Sequence, residues 1–188
     1  WPTVGIFHPD CTHLTNSAAW AFNDPDYVKF PGVGYHQKVK PGTLVGAARR
    51  AARESALQDV RRIFALPIRC KIIENPVGAI SSAIRKPLQI VQPYSFGDDA
   101  SKGTCLWMLD KDGGDFPEMR IPIDKAKRFP PRLVEYRGRT WARWSNQTDS
   151  GQNRLSPGDA RWKDRARTYP GIADALVARC VQFLKANG

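Results

Sequence analysis

Three short apolar runs, each stopped by a polar turn, do most to limit what this chain can fold into. Thr3-Val4-Gly5-Ile6-Phe7 is rich in residues that favour strands, and it stops at His8-Pro9-Asp10-Cys11-Thr12. Lys71-Ile72-Ile73-Glu74 stops at Asn75-Pro76-Val77-Gly78. Thr104-Cys105-Leu106-Trp107-Met108-Leu109 stops at an acidic turn over 110–117. Buried strands that feed polar loops are the signature of an open α/β sheet, which presents its chemistry at the carboxyl ends of its strands. The fold class expected is therefore α/β, with the first two strands in one parallel sheet.

The segments between the runs supply the rest of the architecture. Residues 16–22 read as a short helix or turn, and 23–42 as a long loop rich in Pro, Gly, Tyr and Lys. A helix is expected over 43–65, capped by Thr43 and ended by Pro67, with Leu44, Ala48, Ala52, Val60 and Phe64 near helical spacing. Residues 80–92 read as a polar connection that includes a strand at Gln89-Ile90-Val91. A hairpin is expected from 133–136 and 140–144, then a flexible loop over 146–159. Tyr169-Pro170-Gly171 opens a final helix with Ile172, Leu176, Val177 and Phe183 as its apolar stripe. At 188 residues the chain fits one domain on a prior of ~100–200 residues. Into that domain, 1–188, are set a basic loop and helix at about 23–65 and a basic, tryptophan-containing variable region at about 118–160.

Charge points to the partner. Lys and Arg number 29 against 18 Asp and Glu, a net +11, and an excess of this size favours a polyanion, most simply nucleic acid. Lys38, Lys40, Arg49, Arg50 and Arg53 are placed to follow phosphates. Arg137, Arg139, Arg143 and Arg161 are interleaved with Trp141, Trp144 and Trp162, which suits stacking on bases or sugars. No apolar run reaches the ~18 residues of a membrane span. Four scattered cysteines, with no Cys-x-x-Cys pair, read as a reducing, cytoplasmic setting. The chain begins at Trp1, on what reads as the middle of a fold, so a trimmed or processed N-terminus is expected.

Two residues carry the expected chemistry. Cys11 lies in a turn just past a strand end, where nearby positive charge would favour the nucleophilic thiolate. Asp10 beside it works the other way. Glu74 ends the second strand, where a half-buried carboxyl can hold or donate a proton near neutral pH. If both face one cleft, a thiolate and an acid suit addition to an electron-poor ring such as a pyrimidine at C6. His8 and His13 flank Cys11, which leaves a Cys–His pair open, and His36 is the third histidine. No ligand spacing commits the chain to a metal, and Asp98-Asp99 reads as a solvated turn.

His8-Pro9-Asp10-Cys11-Thr12-His13-Leu14-Thr15-Asn16-Ser17 resembles the Pro-Cys catalytic loop of DNA (cytosine-5) methyltransferases, and Ile73-Glu74-Asn75-Pro76-Val77-Gly78 their Glu-Asn-Val segment. The stretches from Ile84 to Tyr94, Phe96 to Lys102, Thr104 to Trp107 and Arg167 to Ala173 are more closely similar to a phage and prophage family of that type. The resemblance implies a Rossmann-like, methyltransferase-type sheet, here lacking the N-terminal strands that bind the cofactor. It implies Cys11 as the nucleophile at C6 of a flipped cytosine, Glu74 as the acid at N3, and Arg85 polarising the base carbonyl. Pro9, Asn75 and Pro76 would shape the base pocket. The implied methyl donor is S-adenosylmethionine, yet no Gly-rich turn for it precedes Cys11, and Gly32-Val33-Gly34 lacks a strand-to-helix context. A missing N-terminal segment or a second chain would have to supply that part. Two other readings stay open: a base-directed enzyme, such as a glycosylase or another pyrimidine modifier, that works without the methyl donor, and a non-catalytic DNA-binding module.

Overall fold

A computed structural model describes residues 3–16, 19–24, 42–154 and 167–187. Its centre is a four-stranded sheet in the order β1-β2-β4-β3, formed by β1 (Val4–Phe7), β2 (Cys70–Pro76), β3 (Gln89–Val91) and β4 (Thr104–Asp110). β1 and β2 run parallel, with Val4 opposite Cys70 and Phe7 opposite Ile73. β4 is antiparallel to both β2 and β3. The sheet is thus mixed, and the expected parallel pairing holds for the two strands that lead into Cys11 and Glu74.

β2 and β4 are buried along nearly their whole length because both faces are covered. On one face α1 (Gly46–Phe64) and the short α2 (Ala79–Ala83) pack Leu57, Val60 and Ile80 against Ile73, Cys105, Trp107 and Leu109. On the other, α3 (Pro170–Asn187) packs Ile172, Leu176, Cys180 and Phe183 against Cys70, Ile72, Leu106 and Met108. A strand covered on both faces loses the alternation of a half-exposed one, which is why these runs read as continuously apolar.

Several expectations shift. α1 begins at Gly46 after Val45, with no side-chain cap, so Thr43 is not its cap. In α3, Val177 is 57% exposed and Cys180 takes its place in the stripe. Val177 lies more than a quarter-turn from Leu176 at 3.6 residues per turn, whereas Cys180 is one turn on. The connection over 80–92 overlaps α2, whose five residues are too few to show a helical period.

The expected hairpin is present as β5 (Arg132–Tyr136) and β6 (Arg139–Arg143), a separate two-stranded sheet. Its turn places Arg137 at φ 52° and Gly138 at φ 71°. Positive φ at both central residues is the turn geometry whose twist matches two antiparallel strands, and glycine meets that demand without strain. Trp144 anchors the base of the hairpin by stacking on Tyr94, with ring centroids 4.0 Å apart and planes 8° from parallel. Among the described residues no helix is long and apolar enough to cross a membrane.

Candidate functional site

Four chain segments meet at one edge of the main sheet. Parallel pairing brings the chain after β1 and the chain after β2 out side by side. Val91 and Pro76 both lie opposite Thr104, so the end of β3 and the start of β4 arrive there as well. Cys11 follows β1, Glu74 and Asn75 lie at the end of β2, and Lys102 sits just before β4.

The cysteine loop is fastened to β2 and to the turn after it. The Asn75 side chain, 1% exposed, donates from Nδ2 to the Pro9 carbonyl at 2.9 Å. The Ala79 amide donates to the Leu14 carbonyl at 2.7 Å. Gly78 makes that approach possible, because a Cβ built on it would lie 1.9 Å from the Leu14 oxygen. Within the loop, Asp10 Oδ1 accepts from the Thr12 amide at 2.8 Å and the Thr12 hydroxyl at 2.6 Å, while the Cys11 carbonyl accepts from the Leu14 and Thr15 amides. Asp10 is therefore committed to the turn, and these hydrogen bonds hold its carboxyl below the usual carboxylate range.

Two arginines of α1 clamp the same loop from outside. Arg53 donates from Nε to the His13 carbonyl at 2.8 Å and from Nη2 to the Thr15 carbonyl at 3.4 Å. Arg49, 7% exposed, donates from Nη2 to the Thr12 carbonyl at 3.5 Å. Both guanidinium groups cover the Phe22 ring, at 3.3 Å for Arg53 and 4.8 Å for Arg49. Arg50 pairs with Asp24 and donates to the Phe22 carbonyl. The expectation that these three follow phosphates is corrected for Arg49 and Arg53: the N-terminal turns of α1 lie over the cysteine loop, and both guanidinium groups donate to its carbonyls. Lys38 and Lys40 lie outside the described residues.

The site also carries buried polar atoms with no hydrogen-bond partner among the described residues. Three of the four are His13 Nδ1, Arg49 Nε and Asn75 Oδ1, all in the cysteine loop or the groups that hold it. Such atoms are costly and concentrate where function overrides stability.

Glu74 is 6% exposed, and His8 is its hydrogen-bond partner among the described residues, with Nδ1 and Oε2 3.2 Å apart. Cys11 is half-buried and lies within electrostatic reach of Glu74, Asp10 and Lys102. Its thiol is held above the usual range, first by burial and then by Asp10, with Lys102 opposing them. The expected lowering by positive charge is therefore outweighed. The His13 imidazole is held down, by burial first and then by Arg49. Cys70, Cys105 and Cys180 are buried free thiols, and burial pushes Cys70 up to about 12. They are structural.

The structure brings Cys11, Glu74, Asn75, Pro9 and Pro76 together and leaves Arg85 elsewhere. Arg85 donates from Nη1 to the Gly113 carbonyl at 2.6 Å and pairs with Asp115 at 2.9 Å. That turn follows Asp110, which lies opposite Cys70 at the other edge of the sheet. α2 carries the chain away from Glu74, so Arg85 reaches the far edge and does not face the thiol. A cleft of about 620 Å³ lined by Thr3, Pro67, Arg69, Asp110, Lys111 and Phe116 also opens at that far edge, away from the thiol.

Sequence reasoning missed the Arg49–Arg53 clamp, the His8–Glu74 contact and the place of Lys102. The histidine before Pro9 was a visible signal for the second. Nothing local in the sequence announced the clamp. Asp98 and Asp99 are occupied structurally: Asp98 accepts from the Gly171 amide and Asp99 from the Ser145 amide. Among the described residues no cluster of His, Cys, Asp and Glu could hold a metal.

The hairpin rises from the same edge. Ser145 binds Asp99, and the Asn146 side chain binds both backbone groups of Ser101, next to Lys102. The pairing register puts Arg132, Val134, Tyr136, Arg139, Trp141 and Arg143 on one face. Trp141 is 41% exposed and lies under the Arg143 guanidinium. Trp144 is 7% exposed and belongs to the packing at the base, a correction to its place among base-stacking residues. Arg161 and Trp162 lie outside the described residues.

The described residues do not fit S-adenosylmethionine. The glycine turn between β2 and α2 is the one among them at this edge that leads from a strand into an α-helix, and the Leu14 backbone fills the space beside Gly78. Comparison of the chain with family models, curated proteins and solved structures finds no match.

Proposed function

We propose that this chain is a DNA base-modifying protein of the cytosine-5 methyltransferase type, with Cys11 as nucleophile toward C6 of a flipped cytosine and Glu74 as the acid at N3. The observation that carries this reading is the convergence of Cys11 and Glu74 on one sheet edge, each within the other's electrostatic reach. The fold reading is a Rossmann-like sheet of the methyltransferase type. Asn75 and Pro9, joined by a hydrogen bond, would form one wall of the base pocket, continued by Pro76. Addition of Sγ at C6 moves the ring electrons toward N3, which takes up a proton from Glu74. No methyl-transfer step is assigned to these residues, because they build no cradle for its donor. For the same reason a second reading stands beside the first: a base-directed enzyme that uses this pocket without S-adenosylmethionine.

A duplex carrying 2-pyrimidinone in place of cytosine tests the shared step. The missing 4-amino group makes C6 more electrophilic, so an adduct forms without a methyl donor. The wild-type protein is expected to form a complex that survives a denaturing gel, and Cys11→Ser to form none. An adduct that persists in Cys11→Ser, or none with the wild type, overturns the assignment.

The hairpin is the DNA contact that this reading favours, because a two-stranded ribbon fits the major groove and its basic face lies beside the site. Arg137 and Arg139 extend from its tip, both exposed. Replacing both by Gln is expected to reduce the slope of log affinity against log salt by about 2, at roughly 0.9 for each phosphate no longer neutralised. An unchanged slope in fluorescence anisotropy removes the hairpin from the interface.

A further inference from the structure

The addition at C6 calls for a proton at N3, and the His8–Glu74 contact lies where one can be held. Glu74 is a carboxylate almost withdrawn from water, and an isolated charge there would be expensive. Its described hydrogen-bond partner is a histidine whose side chain is 52% exposed and can exchange protons with solvent. A carboxylic acid alone loses its proton near pH 4, too early to serve as an acid at neutral pH. A carboxylate and an imidazole in contact titrate as a pair and hold one proton between them into the neutral range.

We propose that His8 is the proton store for Glu74: the pair holds one proton between Nδ1 and Oε2, and delivers it through the carboxyl to the ring nitrogen when Cys11 adds. The donation step rests on the base-modification reading; the shared proton does not. Cys11 first loses its thiol proton to solvent; the Sγ–C6 bond then forms and the C5=C6 electrons shift toward C4, while the C4=N3 electrons become the N–H bond at N3. The pair gives up its single proton, leaving neutral His8 and the Glu74 carboxylate. The thiolate's negative charge thus ends on Glu74, and the step reverses when the cysteine leaves.

The surroundings suit this role. Glu74 lies within electrostatic reach of Cys105 from β4 and of Cys11 from the loop that carries His8, and Cys11 in turn lies within reach of Asp10 and of Lys102 from the segment before β4. Asp10 is engaged by Thr12, and burial together with Arg49 and Arg53 holds the His13 imidazole below its usual range. His8 itself is held above its usual range, chiefly by the Glu74 hydrogen bond. A raised folded-state pKa means that the folded chain binds more protons. The stabilisation is therefore full below about pH 6.5 and is lost as pH rises through the folded value.

Three measurements test this. Imidazole NMR should give His8 a pKa above 6.5 in the wild type and a lower one in Glu74→Gln. An unchanged value overturns the shared proton. If Glu74→Gln does not fold, the melting-temperature gap between wild type and His8→Gln serves instead: it should be present at pH 5.5 and closed at pH 8.5, and a gap independent of pH overturns the pair. In the pyrimidinone assay, His8→Gln should slow adduct formation by about 10²-fold at pH 7.5. It should leave duplex affinity unchanged. Equal rates overturn the relay. If the wild type forms no adduct while the NMR coupling is present, the base-directed reading fails and the pair stands.

Discussion

Gly78→Ala is expected to lower the melting temperature by roughly 6–12 °C and to pull the cysteine loop off the end of β2. The cause is close approach alone. Gly78 has φ 178° and ψ −149°, extended backbone that alanine adopts freely. A Cβ there would stand 1.9 Å from the Leu14 carbonyl oxygen and 2.9 Å from the Leu14 carbonyl carbon and the Thr15 Cα. All three are backbone atoms, so no rotamer change relieves the clash and the loop must move. Forcing a methyl into such a contact costs about 3 kcal/mol. At roughly 2–4 °C per kcal/mol for a chain of this size, that sets the melting shift. The movement breaks the Ala79–Leu14 hydrogen bond and unseats Cys11 from its half-buried place, so alkylation of Cys11 should accelerate. Val77→Ala is the control: Val77 is 44% exposed, and its truncation should change stability by about 0.5 kcal/mol at most. Equal melting temperatures for the two variants would mean that the Gly78–Leu14 contact does not hold the loop.

How the site became legible, and where it did not, follows from the range of the interactions involved. The strands leading to Cys11 and Glu74 were visible because burial on both faces writes itself into consecutive residues, Ile72 and Ile73 or Cys105 to Leu109. Their shared edge followed from parallel pairing, which the strand-then-turn pattern suggested. The antiparallel course of β4 was not visible, since a strand buried on both faces reads the same in either direction. The hairpin was legible to within one residue at each end, because the Arg137-Gly138 turn lies between two runs of strand-forming residues.

What the sequence hid was partner choice among charged groups. Arg49, Arg53, Arg137 and Arg139 look alike in a basic chain, and all suit DNA equally well by composition. Arg49 and Arg53 differ because α1 lays them over the carbonyls of Thr12, His13 and Thr15, a contact some 40 residues away along the chain. Arg85 was misplaced for the opposite reason. It follows Glu74 closely in sequence, but α2 takes the intervening residues to the other edge. The clamp also changes how the basic charge is understood. Part of the excess holds a loop whose carbonyls point outward, and only the remainder, the hairpin among it, is left for a polyanion.

Lys71→Met is expected to cost about 3 kcal/mol, and it reaches the site through α1. Lys71 has no exposed surface and sits on the α1 side of β2, in line with Ile73. Its ammonium donates to the Phe64 carbonyl at 2.9 Å, the Leu66 carbonyl at 2.7 Å and the Lys111 carbonyl at 3.5 Å, and Asp110 and Asp112 add attraction from nearby. Phe64 is the last residue of α1, where carbonyls lack partners within the helix; the Ala65 and Leu66 amides serve the Arg61 and Ile63 carbonyls, and this lysine serves that of Phe64. Methionine keeps the length and apolar volume of the side chain, which removes cavity formation as a cause of any loss. It leaves the carbonyls behind, and these, unlike a carboxylate partner, cannot be replaced by an apolar residue. Lys111→Met is the comparison. Lys111 pairs with Asp112 in solvent, where such pairs contribute little, and its loss should be within about 0.5 kcal/mol. Hydrogen exchange locates the effect: in Lys71→Met the last turn of α1 should exchange faster, and so should the Leu14 and Thr15 amides, since Arg49 and Arg53 hold that loop only while α1 keeps its seat. Full stability in Lys71→Met would show that the helix end is satisfied without the ammonium. Lost stability with unchanged exchange at Leu14 and Thr15 would show that the clamp does not depend on it.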